Sequence, residues 1–218
     1  MGTLETLSLA MGTAWTSGIN LYATIATLGI AGSAGMIELP PDLQILTNPL
    51  VIGVACLMYF IEFFADKVPY VDNGWDVVHT FIRIPAGAVL AAQAVGDVNP
   101  ALELAALLVG GTVAAAAHGT KASVRLAANV SPEPFSNWFL SVGEDLAVLG
   151  GIWMIFNHPL LMAILVLGFT ALAAWLIPKL YRLAKRGFQA VRARFRGERP
   201  VGPPVGTPVT TSPPASLQ

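Results

Sequence analysis

The sequence predicts an all-α integral membrane protein with about six transmembrane segments, some of them broken or re-entrant. Three observations carry this expectation. Hydrophobic residues make up 55% of the 218-residue chain. Charged residues are only 11% of it, where a soluble domain has about a quarter. The apolar residues also fall in runs of about 20 or more, the length that crosses a ~30 Å hydrocarbon core. So few charges cannot solvate a globular surface of this size. Membrane lipids are therefore the expected surroundings, and nucleic acid is not an expected partner.

The first segment runs from Leu4 to about Ile37 and is roughly 50 Å long as a helix, too long for one upright span. Either it tilts and protrudes, or it breaks near Ser17-Gly18-Ile19-Asn20. The second runs from about Pro49 to Ala65, after a connection closed by Pro40-Pro41. The third, Trp75 to Val95, contains Pro85, which removes a backbone donor and clashes with the preceding turn. A kink or full break is expected there. The fourth, Pro100 to about Val130, is interrupted at His118-Gly119-Thr120-Lys121. The fifth lies between Phe135 and Asn157, and the sixth between Pro159 and Ile177. A transmembrane domain thus occupies residues 1–178. Residues 179–196 form a basic amphipathic or juxtamembrane helix, and residues 197–218 form a disordered Pro-rich tail.

Charge is divided along the chain. Eight of the 12 Lys and Arg follow residue 178, whereas twelve of the 13 acids precede it. With the C-terminus in the cytoplasm and six crossings, every Lys and Arg falls on the cytoplasmic side. The expectation is thus a multi-pass protein of the cell (inner) membrane with both termini cytoplasmic. No cleavable signal peptide is expected, because Glu5 stands where a basic region would be. Cys56 is the single cysteine, so an internal disulfide and a Cys-rich metal site are excluded, and no metal site is expected. No motif names a cofactor, and a homo-oligomer is compatible with the sequence.

Two inverted three-helix repeats, 4–97 and 100–178, are suggested by weak internal likeness. Gly18-Ile19-Asn20 resembles Gly119-Thr120-Lys121. Tyr59-Phe60 with Asp66 resembles Trp138-Phe139 with Asp145 at a constant offset of 79 residues. An odd number of spans per half gives the halves opposite orientations, as in inverted-repeat transporters.

Ionisable residues inside a membrane are costly and face a bundle interior or a wet cavity. Glu62 and Asp66 are four apart and share a helix face. Asp76, His79 and Arg83 put an acid, an imidazole and a guanidinium on one stripe of the third segment. His118, Lys121 and Arg125 form a second cluster with Glu144 and Asp145 on the next segment. Lys121 and Arg125 either present a basic face to an anionic group or neutralise the neighbouring acids. Lys67 and Asp72 read as interfacial residues at a cytoplasmic turn. Asn20 marks the suspected break of the first segment, with Tyr22, Thr13 and Thr16 around it.

Gly18-Ile19-Asn20-Leu21-Tyr22-Ala23-Thr24, Glu62 through Pro69, and Trp75 through Gly87 together resemble domain-of-unknown-function family 4126. The likeness covers about residues 5–178 and implies a small multi-span bacterial membrane protein. It supports the site residues but implies no substrate. The broken segments and Arg83-Ile84-Pro85-Ala86-Gly87 are also similar to features of lipid-carrier flippases with re-entrant hairpins, a likeness at the level of fold. The expected function is a small transporter or lipid-carrier translocase using a coupling proton or cation. Its candidate binding residues are Asn20, Glu62, Asp66, Asp76, His79, Arg83, His118, Lys121, Arg125, Glu144 and Asp145. The alternatives are an intramembrane enzyme, with Asp76 and His79 as acid–base groups, and a non-catalytic scaffold in which the charges only lock helices together. The motifs of common soluble enzyme classes are missing, so the enzyme reading is the less favoured one.

Overall fold

The computed structural model describes residues 2–68, 71–96, 99–129 and 135–195. Among them every regular element is helical: α1 (Thr3–Ile19), α2 (Leu21–Ser33), a 3-10 helix (Pro41–Thr47), α3 (Pro49–Ala65), α4 (Val71–Val95), α5 (Pro100–Asn129), α6 (Phe135–Asn157) and α7 (Pro159–Phe195). The chain forms two compact units, one up to Ile177 and one from Pro178. The second is helical to Phe195. The proposed disordered tail at 197–218, and the side chains that would give residues 183–196 an amphipathic face, lie outside the described residues.

Helix α1 is buried all the way round from Ser8 to Ile19. A helix apolar on every side belongs in the centre of a bundle, and α1 packs against α4, α5 and α6. Three of its buried hydroxyls return to their own helix, Thr13 to Leu9 O at 2.7 Å, Thr16 to Gly12 O at 3.0 Å and Ser17 to Ala14 O at 2.9 Å, while Ser8 donates to Ile155 O of α6 at 3.5 Å. That pairing lets them sit in an apolar interior without orphaned donors. Close approach depends on glycine. A Cβ at Gly18 would lie 2.5 Å from Ala114 O, and one at Gly110 would lie 2.3 Å from the Ala91 Cβ. Small residues at such contacts let membrane helices pack backbone to backbone.

The first segment breaks, as one of its two expected readings has it. Asn20 leaves helical geometry at φ −146° and ψ 101° and caps α2, its Oδ1 accepting from Ala23 N at 3.0 Å. Two other expectations are corrected. Helix α4 continues through Pro85, so of the kink or full break expected there the full break is not formed. Helix α5 continues through His118–Lys121, where an interruption was expected. In both cases extended packing holds the helix: α4 and α5 lie along each other and along α1. Gly87 packs against Ala114 and Ser17 at the proline's own turn. Tertiary contact overrides local propensity there.

Among the described residues four helical stretches are long and apolar enough to cross a membrane: Gly74–Val95, Pro100–Leu126, Trp138–Asn157 and Pro159–Lys179. A fifth arises if the 3-10 helix and α3, bent by 65° at Asn48, count as one broken span. Helix α2 is apolar but only 13 residues long, short of the ~20 a crossing needs. About six were expected; among the described residues four helices, or up to five, meet the length and composition of a crossing by themselves. The difference lies in the first segment, whose break leaves α1 with 17 residues and α2 with 13, and in α3, which with 17 residues counts only together with the 3-10 helix. Large apolar side chains on α3, α5, α6 and α7 point outward, Leu50, Phe64, Leu108, Phe139 and Leu161 among them. Such an exterior suits lipid and not water. The chain is a membrane protein.

Candidate intramembrane charged centre

Four helices bring the ionisable residues together. The last turn of α3 places Glu62 one turn before Asp66, the helix C-cap, whose N–H donates to Glu62 O at 2.8 Å. Helix α4 contributes Asp76, His79 and Arg83 on one buried stripe, α5 contributes His118, Lys121 and Arg125, and α6 contributes Glu144 and Asp145. The 3–4 spacing read in the sequence is the reason each set shares a face.

Three cations hold four carboxylates. The Arg83 guanidinium pairs with Glu62 through Nη2, and its Nη1 lies 3.5 Å from Asp76 Oδ1. Lys121 Nζ sits 3.1 Å from Glu62, 3.5 Å from Asp66 and 3.3 Å from Glu144. Arg125 grips Glu144 with two donors, Nε at 3.0 Å and Nη2 at 2.6 Å. It also reaches Asp66 Oδ2 at 2.8 Å and the Asp66 carbonyl at 3.0 Å. The side chains of Arg83, Glu62 and Arg125 are 0% exposed, and even Glu144 is only 14% exposed. Two-donor guanidinium–carboxylate geometry of this kind is what repays desolvation of buried charges.

The histidines are held in defined tautomers. Arg83 Nη1 donates to His118 Nδ1 at 3.3 Å, so the His118 proton is on Nε2. That nitrogen faces Thr80 Oγ1 at 2.8 Å and Asp76 O at 3.2 Å. His79 Nδ1 is 2.9 Å from Trp75 O, which assigns the proton there and leaves Nε2 to accept from Tyr22 OH at 3.1 Å. The Trp75 ring stacks on His79.

A second, uncharged shell surrounds Asp145. It accepts from Tyr59 OH at 2.8 Å and from Asn20 Nδ2 at 3.4 Å. Asn20 thus caps α2 with one side-chain atom and reaches Asp145 with the other. Lys67, just beyond α3, donates to Phe63 O at 2.9 Å and lies over the Phe63 ring. Burial pulls its ammonium below the usual lysine range, against the opposing pull of Asp66 and Asp145.

The structure therefore draws seven of the eleven candidate residues into one ion-paired centre, Glu62, Asp66, Asp76, Arg83, Lys121, Arg125 and Glu144, with His118 hydrogen-bonded to it through Arg83. His79 joins beside it through Tyr22 and Trp75, and Asn20 and Asp145 form their own pair. Asp66 is buried among cations, while the side chain of Asp72 lies outside the described residues. Sequence reasoning missed the roles of Tyr59 and Thr80. Both were within its reach, since Tyr59 lies one turn before Glu62 and Thr80 one turn after Asp76. Two cavities, of about 520 and 250 Å³, lie elsewhere. They are lined mainly by apolar residues of α1, α4, α5 and α7, among them Met11, Val95, Val109 and Leu167. Among the described residues no group of three His, Cys, Asp or Glu is arranged to hold a metal ion.

The model of the family described as Domain of unknown function (DUF4126) matches residues 7–179. The chain belongs to this family. No curated protein and no solved structure matches the chain. The whole charged centre of this DUF4126 protein, Asn20 to Asp145, falls within the matched residues, whereas the Pro-rich tail falls outside them.

Proposed function

We propose that this protein is a small multi-pass transporter or lipid-carrier translocase of the bacterial inner membrane, with its charged centre in a closed arrangement. The observation that carries this reading is the charge imbalance of the centre. Among the described residues, four buried carboxylates are ion-paired to three cations. A permanent structural lock favours balanced pairs with filled hydrogen bonds. A centre short of one positive charge is suited to taking one up.

Three further features support the reading. Discontinuous helices mark binding sites in transporters, and the α1–α2 break puts Asn20 on Asp145. Acids from α3 and α6 converge on Lys121, as two inverted three-helix halves, 4–97 and 100–178, would make them do. Arg83, Lys121 and Arg125 are all engaged by carboxylates, so loosening any pair would free a cation for an anionic substrate group. We place both termini in the cytoplasm on the distribution of Lys and Arg.

Reconstituted protein should move charge when a proton or Na⁺ gradient is imposed across proteoliposomes. Glu62→Gln and Glu144→Gln should abolish that movement while the protein stays folded and inserted, since each replacement is near-isosteric and leaves the cation and carboxylate counts equal. The scaffold reading has one observation of its own: neither cavity touches the charged centre. Wild-type protein that moves neither charge nor a fluorescent lipid between leaflets would establish that reading. An enzyme acting through Asp76 and His79 would need substrate space at those residues, and both cavities lie away from them.

A further inference from the structure

We infer that Asp76 is the binding site for one monovalent cation, a proton or an alkali ion, which completes the charge balance of the centre. The inference starts from how the four paired carboxylates are held. Glu62 is bonded by Arg83 and Lys121, Asp66 by Arg125 and Lys121, and Glu144 doubly by Arg125. Asp76 is different. Its side chain is 5% exposed and its nearest cation is Arg83 Nη1 at 3.5 Å. Neither of its carboxylate oxygens accepts a hydrogen bond.

The guanidinium nearest Asp76 gives Nη2 to Glu62 and Nη1 to His118, and its buried Nε has no partner at all, so it makes no hydrogen bond to the Asp76 carboxylate. A buried carboxylate with both oxygens unbonded is costly, and a native structure keeps such a group for a reason. One added positive charge at Asp76 removes the cost and balances the centre, leaving Glu62, Asp66 and Glu144 against Arg83, Lys121 and Arg125. Asp145 and Lys67, one acid and one cation beside the centre, leave that balance unchanged.

The charged and titratable groups acting on Asp76 are His79 and Arg83 from its own helix, His118, Lys121 and Arg125 from α5, and Glu144 from α6, with Glu62 of α3 sharing Arg83. His118 and Thr80 bind the Asp76 backbone carbonyl and not its carboxylate. They fix the position of the turn while leaving the acid open. When the cation leaves, Asp76 competes with Glu62 for Arg83, and this competition gives ion release a route to Lys121.

This inference deepens the transport reading and rests on it for its purpose, but binding is measurable without transport. Purified full-length protein in nanodiscs would be melted at constant ionic strength in NaCl, in KCl and in choline chloride. Infrared spectra across a pH series would be searched for the carbonyl band of a protonated, buried carboxyl group. An alkali ion predicts a melting midpoint higher by about 3 °C or more in NaCl or KCl than in choline at tenfold saturation. A proton predicts the infrared band.

Asp76→Asn should abolish whichever response the wild type shows while remaining folded, and Asp145→Asn should keep it. Wild-type protein with neither response overturns the inference, as does a response that survives in Asp76→Asn. Should Asp76→Asn fail to fold, Asp76→Glu must shift the band or the salt-titration midpoint, and an unchanged response overturns the inference. Binding at Asp76 without flux in proteoliposomes would remove the transport reading and leave the site standing.

Discussion

Arg83 shows how much a single buried residue holds. Its guanidinium touches Glu62, Asp76 and His118, all of them buried, and is itself 0% exposed. Deleting one partner of a buried pair leaves the other charge desolvated and unpaired, at a cost of about 3–5 kcal/mol. Arg83→Met is therefore expected to destabilise the protein by about that much in a reversible unfolding assay in detergent micelles. The double replacement Arg83→Met with Glu62→Met should recover most of the loss, because a matched pair of apolar side chains leaves no orphaned charge. A double variant no more stable than the single one would mean that Lys121, Asp66 and Glu144 depend on the pair. The residues of this network were legible in the sequence, because intramembrane charges are few and fall at 3–4 spacing. Their partners were not, since pairing joins positions as far apart as Glu62 and Lys121.

At the scale of the helix, Asn20 and Pro85 make an instructive contrast. Both sat at expected breaks, and only Asn20 interrupts its helix. Its side chain offers α2 a cap in place of the helical bond that is lost. Pro85 has no such alternative and stays inside a helix clamped by α1 and α5. Glycine contacts hold that clamp, and they separate sharply by position. Gly18→Val and Gly110→Val would drive a side chain into Ala114 O and the Ala91 Cβ. Each should cost about 1–3 kcal/mol or more, seen as a lower melting temperature or loss of folded protein. Gly150→Ala, with nothing within 4 Å of the added Cβ, should be neutral or stabilising by up to about 1 kcal/mol through helix propensity alone. Equal losses at all three sites would show that the α1–α5 and α4–α5 contacts are not what set stability.

For the whole molecule, the sidedness proposed from the basic residues is open to direct measurement. A reporter fused after Gln218 should read as cytoplasmic, and a single cysteine at Asp42, in a Cys56→Ser background, should be labelled only from outside. A periplasmic signal at the C-terminus would reject the orientation. What the sequence determined by itself was the solvent and the material: scarcity of charge requires a bilayer, and apolar runs in a bilayer require helices whose backbone groups bond internally. It also determined which residues pay for being there, and the family to which the chain belongs. The tertiary structure alone decided where the helices break, because packing chooses between an interrupted and a continuous helix. It alone decided which cation faces which carboxylate as well. That choice depends on distances between helices, a quantity that neither composition nor spacing along one helix contains.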